Sequence, residues 1–135
     1  MRQGHTSTLL LDTHVLHWWS AEPERVSARA SAAISDASDL AIADISWFEL
    51  AWLARHERIV LSVPLTSWLQ QLAAQVRTIP ITPAIAAAAV ALPAAFPADP
   101  ADRLIYSTAT ENGWRLVTKD ARLRGYRHTQ PVTLW

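Results

Sequence analysis

A chain of 135 residues is long enough to bury a single ordinary core, and half its residues are apolar with 18% charged, the profile of a folded domain and not of a disordered segment. It contains no cysteine, which excludes disulfides, thiolate metal sites and cysteine nucleophiles and agrees with a reducing, cytoplasmic setting. Lysine plus arginine equals aspartate plus glutamate at 12 each, so the whole chain lacks the basic footprint usual in nucleic-acid-binding domains. A local basic rim remains open where Arg115, Lys119, Arg122, Arg124 and Arg127 cluster.

Residues 1–6 read as a flexible tail without the apolar run of a signal peptide, and 7–135 as one domain. Thr8–Leu11 reads as a buried strand ending at Asp12, followed by a helix over His14–Ser20. Residues 22–37 predict a second helix, with Val26, Ala30, Ala33, Ile34 and Ala37 on one face. "DLAIADIS" (39–46) predicts the next strand and "SWFELAWLARHE" (46–57) the next helix. Residues 63–76 predict a helix and Thr78–Ile81 a short strand.

The apolar stretch "IPITPAIAAAAVALPAAFP" (79–97) is broken by Pro80, Pro83, Pro93 and Pro97, so it is no membrane span. It holds a helix over 82–92, capped by Thr82 with Pro83 in its first turn. A further helix runs from Asp99 to about Asn112 and is closed by Gly113. "WRLVT" (114–118) is a strand, "KDARLRGY" a short turn-helix, and "PVTLW" (131–135) a last strand. Strands alternating with helices imply an α/β fold: a central, mostly parallel, twisted sheet with helices on both faces.

In open parallel sheets ligands bind outside the carboxyl ends of the strands. Asp12 and Asp120 fall directly at such ends, and Glu49 and Asp102 at helix N-termini that share the same rim. Each acid has an ordinary alternative. Glu49 completes a capping box with Ser46 as N-cap, Asp102 stands in the same relation to Asp99, and Asp12 and Asp120 can each start a helix. Together they discriminate better: at ~4–6 Å separation each pair repels by roughly 3–4 kcal/mol at an effective dielectric of 20. A fold accommodates that with a compensating cation or raised pKa values. All-oxygen donors favour Mg²⁺ or Mn²⁺, ions that serve phosphodiester hydrolysis.

"LLLDTHVLHWW" (9–19), "ISWFELAWL" (45–53), "FPADPADRLIYSTATENGWRLVTKD" (96–120) and the final "VTLW" together resemble the PIN-domain family, and within it the VapC toxins of bacterial type II toxin–antitoxin systems. The resemblance spans nearly the whole chain in order and spacing. It implies a single PIN-like domain and a Mg²⁺- or Mn²⁺-dependent ribonuclease that uses metal-activated water as the nucleophile. Asp12, Glu49, Asp102 and Asp120 match the family's catalytic and metal-binding acids, with Asp99 as an outer member. Thr118 matches a small hydroxyl two residues before the last acid, and Thr13 and Ser46 match secondary polar positions. It further implies a cognate antitoxin, an RNA substrate, a homodimer, and a heterotetramer or larger complex with the antitoxin. Alternatives are a non-catalytic PIN-like binding module, a PIN ribonuclease of RNA processing, or a phosphotransfer domain with Asp12 as acceptor.

Lys119, Arg122 and Arg103 are candidate RNA contacts, although Arg103 can equally pair with a local acid. His14 and His17 have a ligand-like spacing but lack a third histidine nearby, which favours packing or surface roles over zinc. Of the seven tryptophans, Trp47, Trp52 and Trp68 fall on amphipathic helices as core or dimer contacts, and one of Trp18 and Trp19 is available to a partner.

Overall fold

A computed structural model describes residues 7–128 and 130–135; the tail expected over 1–6 lies outside the described residues. Five strands, β1 (Thr8–Leu11), β2 (Asp39–Ala43), β3 (Arg77–Ile79), β4 (Arg115–Val117) and β5 (Thr133–Leu134), form one sheet. Its order is β3-β2-β1-β4-β5, and all four pairings are parallel. The chain winds outward from β1 through β2 to β3, then returns to place β4 on the other side of β1. The order therefore reverses between β1 and β4, which is where an open parallel sheet leaves a crevice.

Among the described residues seven α-helices cover the sheet: α1 (Thr13–Ala21), α2 (Ala28–Asp36), α3 (Ile45–Arg55), α4 (Leu65–Ala73), α5 (Pro83–Ala91), α6 (Pro100–Asn112) and α7 (Ala121–Gly125). Successive strand residues point to opposite faces, and the chain has filled both with apolar side chains. Leu9, Leu11, Ile42 and Val117 pack with Val15 and Leu16 of α1, Ile34 of α2, Leu50 of α3 and Leu72 of α4. Leu10, Ala41, Ala43 and Leu116 pack instead with Ile105, Tyr106 and Ala109 of α6 and Leu123 of α7. Among the described residues no helix is long and apolar enough to cross a membrane.

Two elements differ from the sequence expectation. The helix expected over 22–37 divides into a 3-10 turn, Pro23–Arg25, and α2, because the Ser27 hydroxyl caps α2 by accepting from the Ala30 N–H. Val26, Ala30 and Ile34 are nonetheless buried together, so the apolar stripe survives the break. The strand expected to 46 ends at Ala43, because Asp44 already has helical backbone angles and α3 begins at Ile45. That moves Ser46 inside the helix and removes the capping box expected between Ser46 and Glu49; α3 has no side-chain cap.

Arg103 is also reassigned. Its guanidinium donates to five main-chain carbonyls, those of Ala89, Leu92, Pro93, Phe96 and Pro97, at 2.9–3.3 Å, and lies over the Phe96 ring. These carbonyls belong to the end of α5 and the proline-broken segment that follows, where no regular ladder can satisfy them. Arg103 thus fixes the path by which the chain enters α6 and does not line the cavity that holds the acids. Arg103→Ala should lower stability by about 2–4 kcal/mol, since several carbonyls lose their donor at once. Urea denaturation checks this. Arg103→Lys should recover less than half, because an ammonium cannot reproduce the planar fork.

Candidate active site

Each acid reaches the crevice by a short local device. Asp12 follows the last residue of β1; its N–H extends the ladder to Val117 O (3.0 Å), and its Oδ1 accepts from the Thr13 N–H (2.9 Å) as the N-cap of α1. Asp120 caps α7 in the same way, accepting from the Arg122 N–H (2.8 Å). Asp99 caps α6 through the Asp102 N–H (3.0 Å), with Pro100 in the first turn, so Asp102 stands at the positive end of that helix. Asp12, Glu49, Asp99, Asp102 and Asp120 line a single cavity of about 640 Å³, together with Thr13, Lys119 and Arg122.

Two fully buried hydroxyls tie the acids to one another. Thr118 Oγ1 donates to Asp12 Oδ2 (2.7 Å) and accepts from the Asp120 N–H (3.0 Å), joining the ends of β1 and β4. Thr13 Oγ1 donates to Glu49 Oε1 (2.5 Å) and is hydrogen-bonded to Ser46 Oγ (2.9 Å). The Glu49 carboxylate is therefore engaged across the site, by α1, and not with the start of its own helix. Arg122 Nη2 bridges Asp102 Oδ2 (3.1 Å) and Asp120 Oδ2 (2.8 Å).

The charges respond to this crowding. Burial pushes Asp12 upward against the lowering effect of its bonds from Thr118 and Thr13. Burial, then the charges of Asp12 and Asp99, push Glu49 upward despite the bond from Thr13. Asp102 rises from 3.8 to about 7, first through burial and then through Asp99 and Asp12, which together outweigh the facing guanidinium of Arg122. Asp120 alone goes down, because Arg122 hydrogen-bonds to it directly. Among the described residues no three His, Cys, Asp or Glu side chains are placed closely enough together to hold a metal ion; Arg122 takes part of the role of counter-charge. The donor set still fits a hard divalent cation: all oxygen, no sulfur, and three carboxyls whose charged forms lack a sufficient partner.

The histidines do not form a ligand pair. His17 Nε2 is 3.2 Å from Glu22 and its ring meets Trp68 edge-on, whereas His14 lines the cavity. Trp47 and Trp68 pack against the core as expected, but Trp52 is 44% exposed and Phe48 66%. With Ile45, Leu53, Pro100 and Ala101 they line an apolar groove that adjoins Glu49 and Asp99. Sequence reading missed this groove; its signal was the four-residue spacing of two large aromatics beside Glu49, which puts both on one helix face.

A carboxyl whose pKa is higher folded than unfolded binds protons more tightly in the native state, so its favourable contribution is complete below about pH 4 and lost as pH rises through about 7. In EDTA the protein should therefore be more stable at about pH 5 than at about pH 8. Asp102→Asn should flatten that dependence and stabilise the alkaline form by roughly 2–4 kcal/mol. Equal slopes of denaturation midpoint against pH for the two proteins would contradict this.

Comparison with known proteins agrees with the geometry. A PIN domain family model matches residues 9–128. The chain is 67% identical over 129 residues to Ribonuclease VapC22 of Mycobacterium tuberculosis, covering 96% of this chain and 99% of that one. Two solved structures share the fold. A toxin–antitoxin complex from Klebsiella pneumoniae has a TM-score of 0.68 at 22% identity, covering 94% of this chain and 96% of that one. VapBC2 from Rickettsia felis, bound to a promoter DNA fragment, has 0.70 at 14%, covering 94% and 97%. The chain belongs to the PIN domain family and, within it, to the VapC proteins.

Proposed function

We propose that this chain is a metal-dependent endoribonuclease and the toxin of a type II toxin–antitoxin pair. The observation that carries the reading is the meeting of Asp12, Glu49, Asp102 and Asp120 in one cavity at the point where the strand order reverses. The 67% identity to a protein named as a ribonuclease supports it. Asp12, Glu49, Asp102 and Asp120 would hold Mg²⁺ or Mn²⁺, directly or through water. Such an ion, when bound, makes water a better nucleophile at neutral pH and offsets charge gathering on the phosphate.

The protein's own groups do the rest. Thr118 fixes the Asp12 carboxylate in rotation and sets its distance from the Asp120 main chain. Thr13 holds Glu49 toward the cavity. Arg122 offsets charge between Asp102 and Asp120, and its exposed side chain can turn from them to a phosphate oxygen. Water activated by such an ion would be the attacking group.

An antitoxin is the proposed partner in the cytoplasm, and the solved toxin–antitoxin relatives support it. Its apolar side chains would seat against Phe48 and Trp52, directly beside the acids. A homodimer would use the apolar face of α5, where Val90 is 84% exposed in line with exposed Ala87 and Ala91.

The purified chain, free of any antitoxin, should cut total cellular RNA into discrete fragments with Mg²⁺ or Mn²⁺ and not in EDTA. Asp12→Ala and Asp102→Ala should abolish the fragments. Thr118→Val, which leaves every acid in place, should reduce cleavage about 10–100-fold, the usual effect of removing a group that orients a metal ligand. A folded, metal-loaded protein that cuts nothing and is harmless on expression would favour a binding module instead.

A further inference from the structure

The cavity that holds the acids is also lined by aromatic and cationic side chains. Trp18, on α1, lines it together with His14 and Lys119. Arg25, which does not line the cavity, lies over the Trp18 ring at 4.7 Å from its centroid. Lys119 Nζ stands 5.7 Å from the same centroid, and the His14 ring is tilted against it at 5.7 Å. Trp135 meets the indole edge-on at 6.2 Å, so the ring is held in place rather than free to swing.

Two cations line the cavity, and they are not equivalent. Arg122 is engaged with Asp102 and Asp120. Among the described residues Lys119 has no carboxylate within salt-bridge distance, although five line the same cavity. Its position is set by the acidic cluster, since it lies between Thr118 and Asp120, which are hydrogen-bonded to each other across it. An ammonium kept apart from the acids lies over the face of a fixed indole, so a Lys119 that turns to an anion leaves that face to a ring.

We propose that Trp18 and Lys119 form a nucleotide subsite for single-stranded RNA: the indole stacks an unpaired base, and Lys119 takes the phosphate adjoining it. The inference rests on the ribonuclease reading above and adds where the substrate is gripped. The acids alone repel a polyanion, and the neutral chain supplies no general attraction. A local grip of this kind is therefore required next to the cluster. Stacking tolerates any base because every base has a π-face, so the subsite selects unpaired over paired RNA and leaves sequence choice to other contacts.

The test measures binding and not cleavage. A fluorescein-labelled, short single-stranded RNA of mixed sequence is titrated with the full chain carrying Asp12→Asn, in Mg²⁺, over a series of salt concentrations. Adding Trp18→Leu, which keeps apolar packing but removes the π-face, should weaken binding at least about fivefold with the salt slope unchanged. Trp18→Phe should restore it to within about threefold, as stacking requires. Lys119→Gln should instead reduce the salt slope by about 0.7, the value for one phosphate contact on a single strand.

Parent-like binding by folded Trp18→Leu, or a loss that Trp18→Phe fails to rescue, would overturn the stacking role. Should Trp18→Leu not fold, Lys119→Gln decides: an unchanged salt slope overturns the subsite. No RNA binding by the Asp12→Asn parent or by the unsubstituted chain in EDTA would overturn the subsite, while the cleavage assay above decides the ribonuclease reading separately.

Discussion

Five carboxylates share one cavity at the end of a parallel sheet, and the rest of the molecule is organised around the repulsion this creates. Ionised together within a few ångströms, such groups oppose folding by several kcal/mol per pair. The chain limits that penalty with neutral donors and a single guanidinium. Thr118 and the Thr13 N–H satisfy the Asp12 carboxylate, Thr13 Oγ1 satisfies Glu49, and Arg122 bridges Asp102 and Asp120. Asp12, Glu49 and Asp102 nonetheless stay shifted upward, by burial first and by neighbouring carboxylates second. A cation bound among them, as proposed, would offset both the burial and the repulsion.

The sheet makes that concentration possible. All its pairings are parallel, so its strands finish at one edge, and the reversal between β1 and β4 opens that edge exactly where neither neighbouring connection covers it. Helices that start there turn free N–H groups toward the same space. Asp12, Asp99 and Asp120 each accept one of these groups as N-caps. Capping and a role in the site are therefore not competing descriptions. The hydrogen bond that terminates the helix is also what fixes the carboxylate's direction.

Much of this could be read from the sequence, and what could not has a physical reason. Asp12 and Asp120 follow apolar strands, and Thr82, Asp99 and Gly113 carry unambiguous end-of-helix chemistry, so these positions needed only local information. Glu49 looked like the partner of Ser46 because S-x-x-E is a capping pattern. The true start of α3 is set by Asp44 at the end of β2, and the true partner of Glu49 is Thr13, distant in sequence. Arg103 was linked to phosphate by its adjacency to Asp102. Neighbours on a helix point about 100° apart, and that rotation carries Arg103 away from the cavity to the carbonyls after α5. Helical spacing alone would have separated the two.

The neutral net charge acquires a meaning from the geometry. The cavity brings five carboxylates together with Lys119 and Arg122, so the zero total conceals a local excess of acid within one crevice. A cation arriving among the carboxylates removes the repulsion that otherwise holds a phosphate off Asp102 and Asp12. Metal and nucleic acid should therefore bind with positive coupling, each lowering the electrostatic cost of the other. An arginine-bearing partner chain would satisfy the same carboxylates without admitting a phosphate. Inhibition by a protein and activation by a metal, as proposed, would be two responses to one excess of acid.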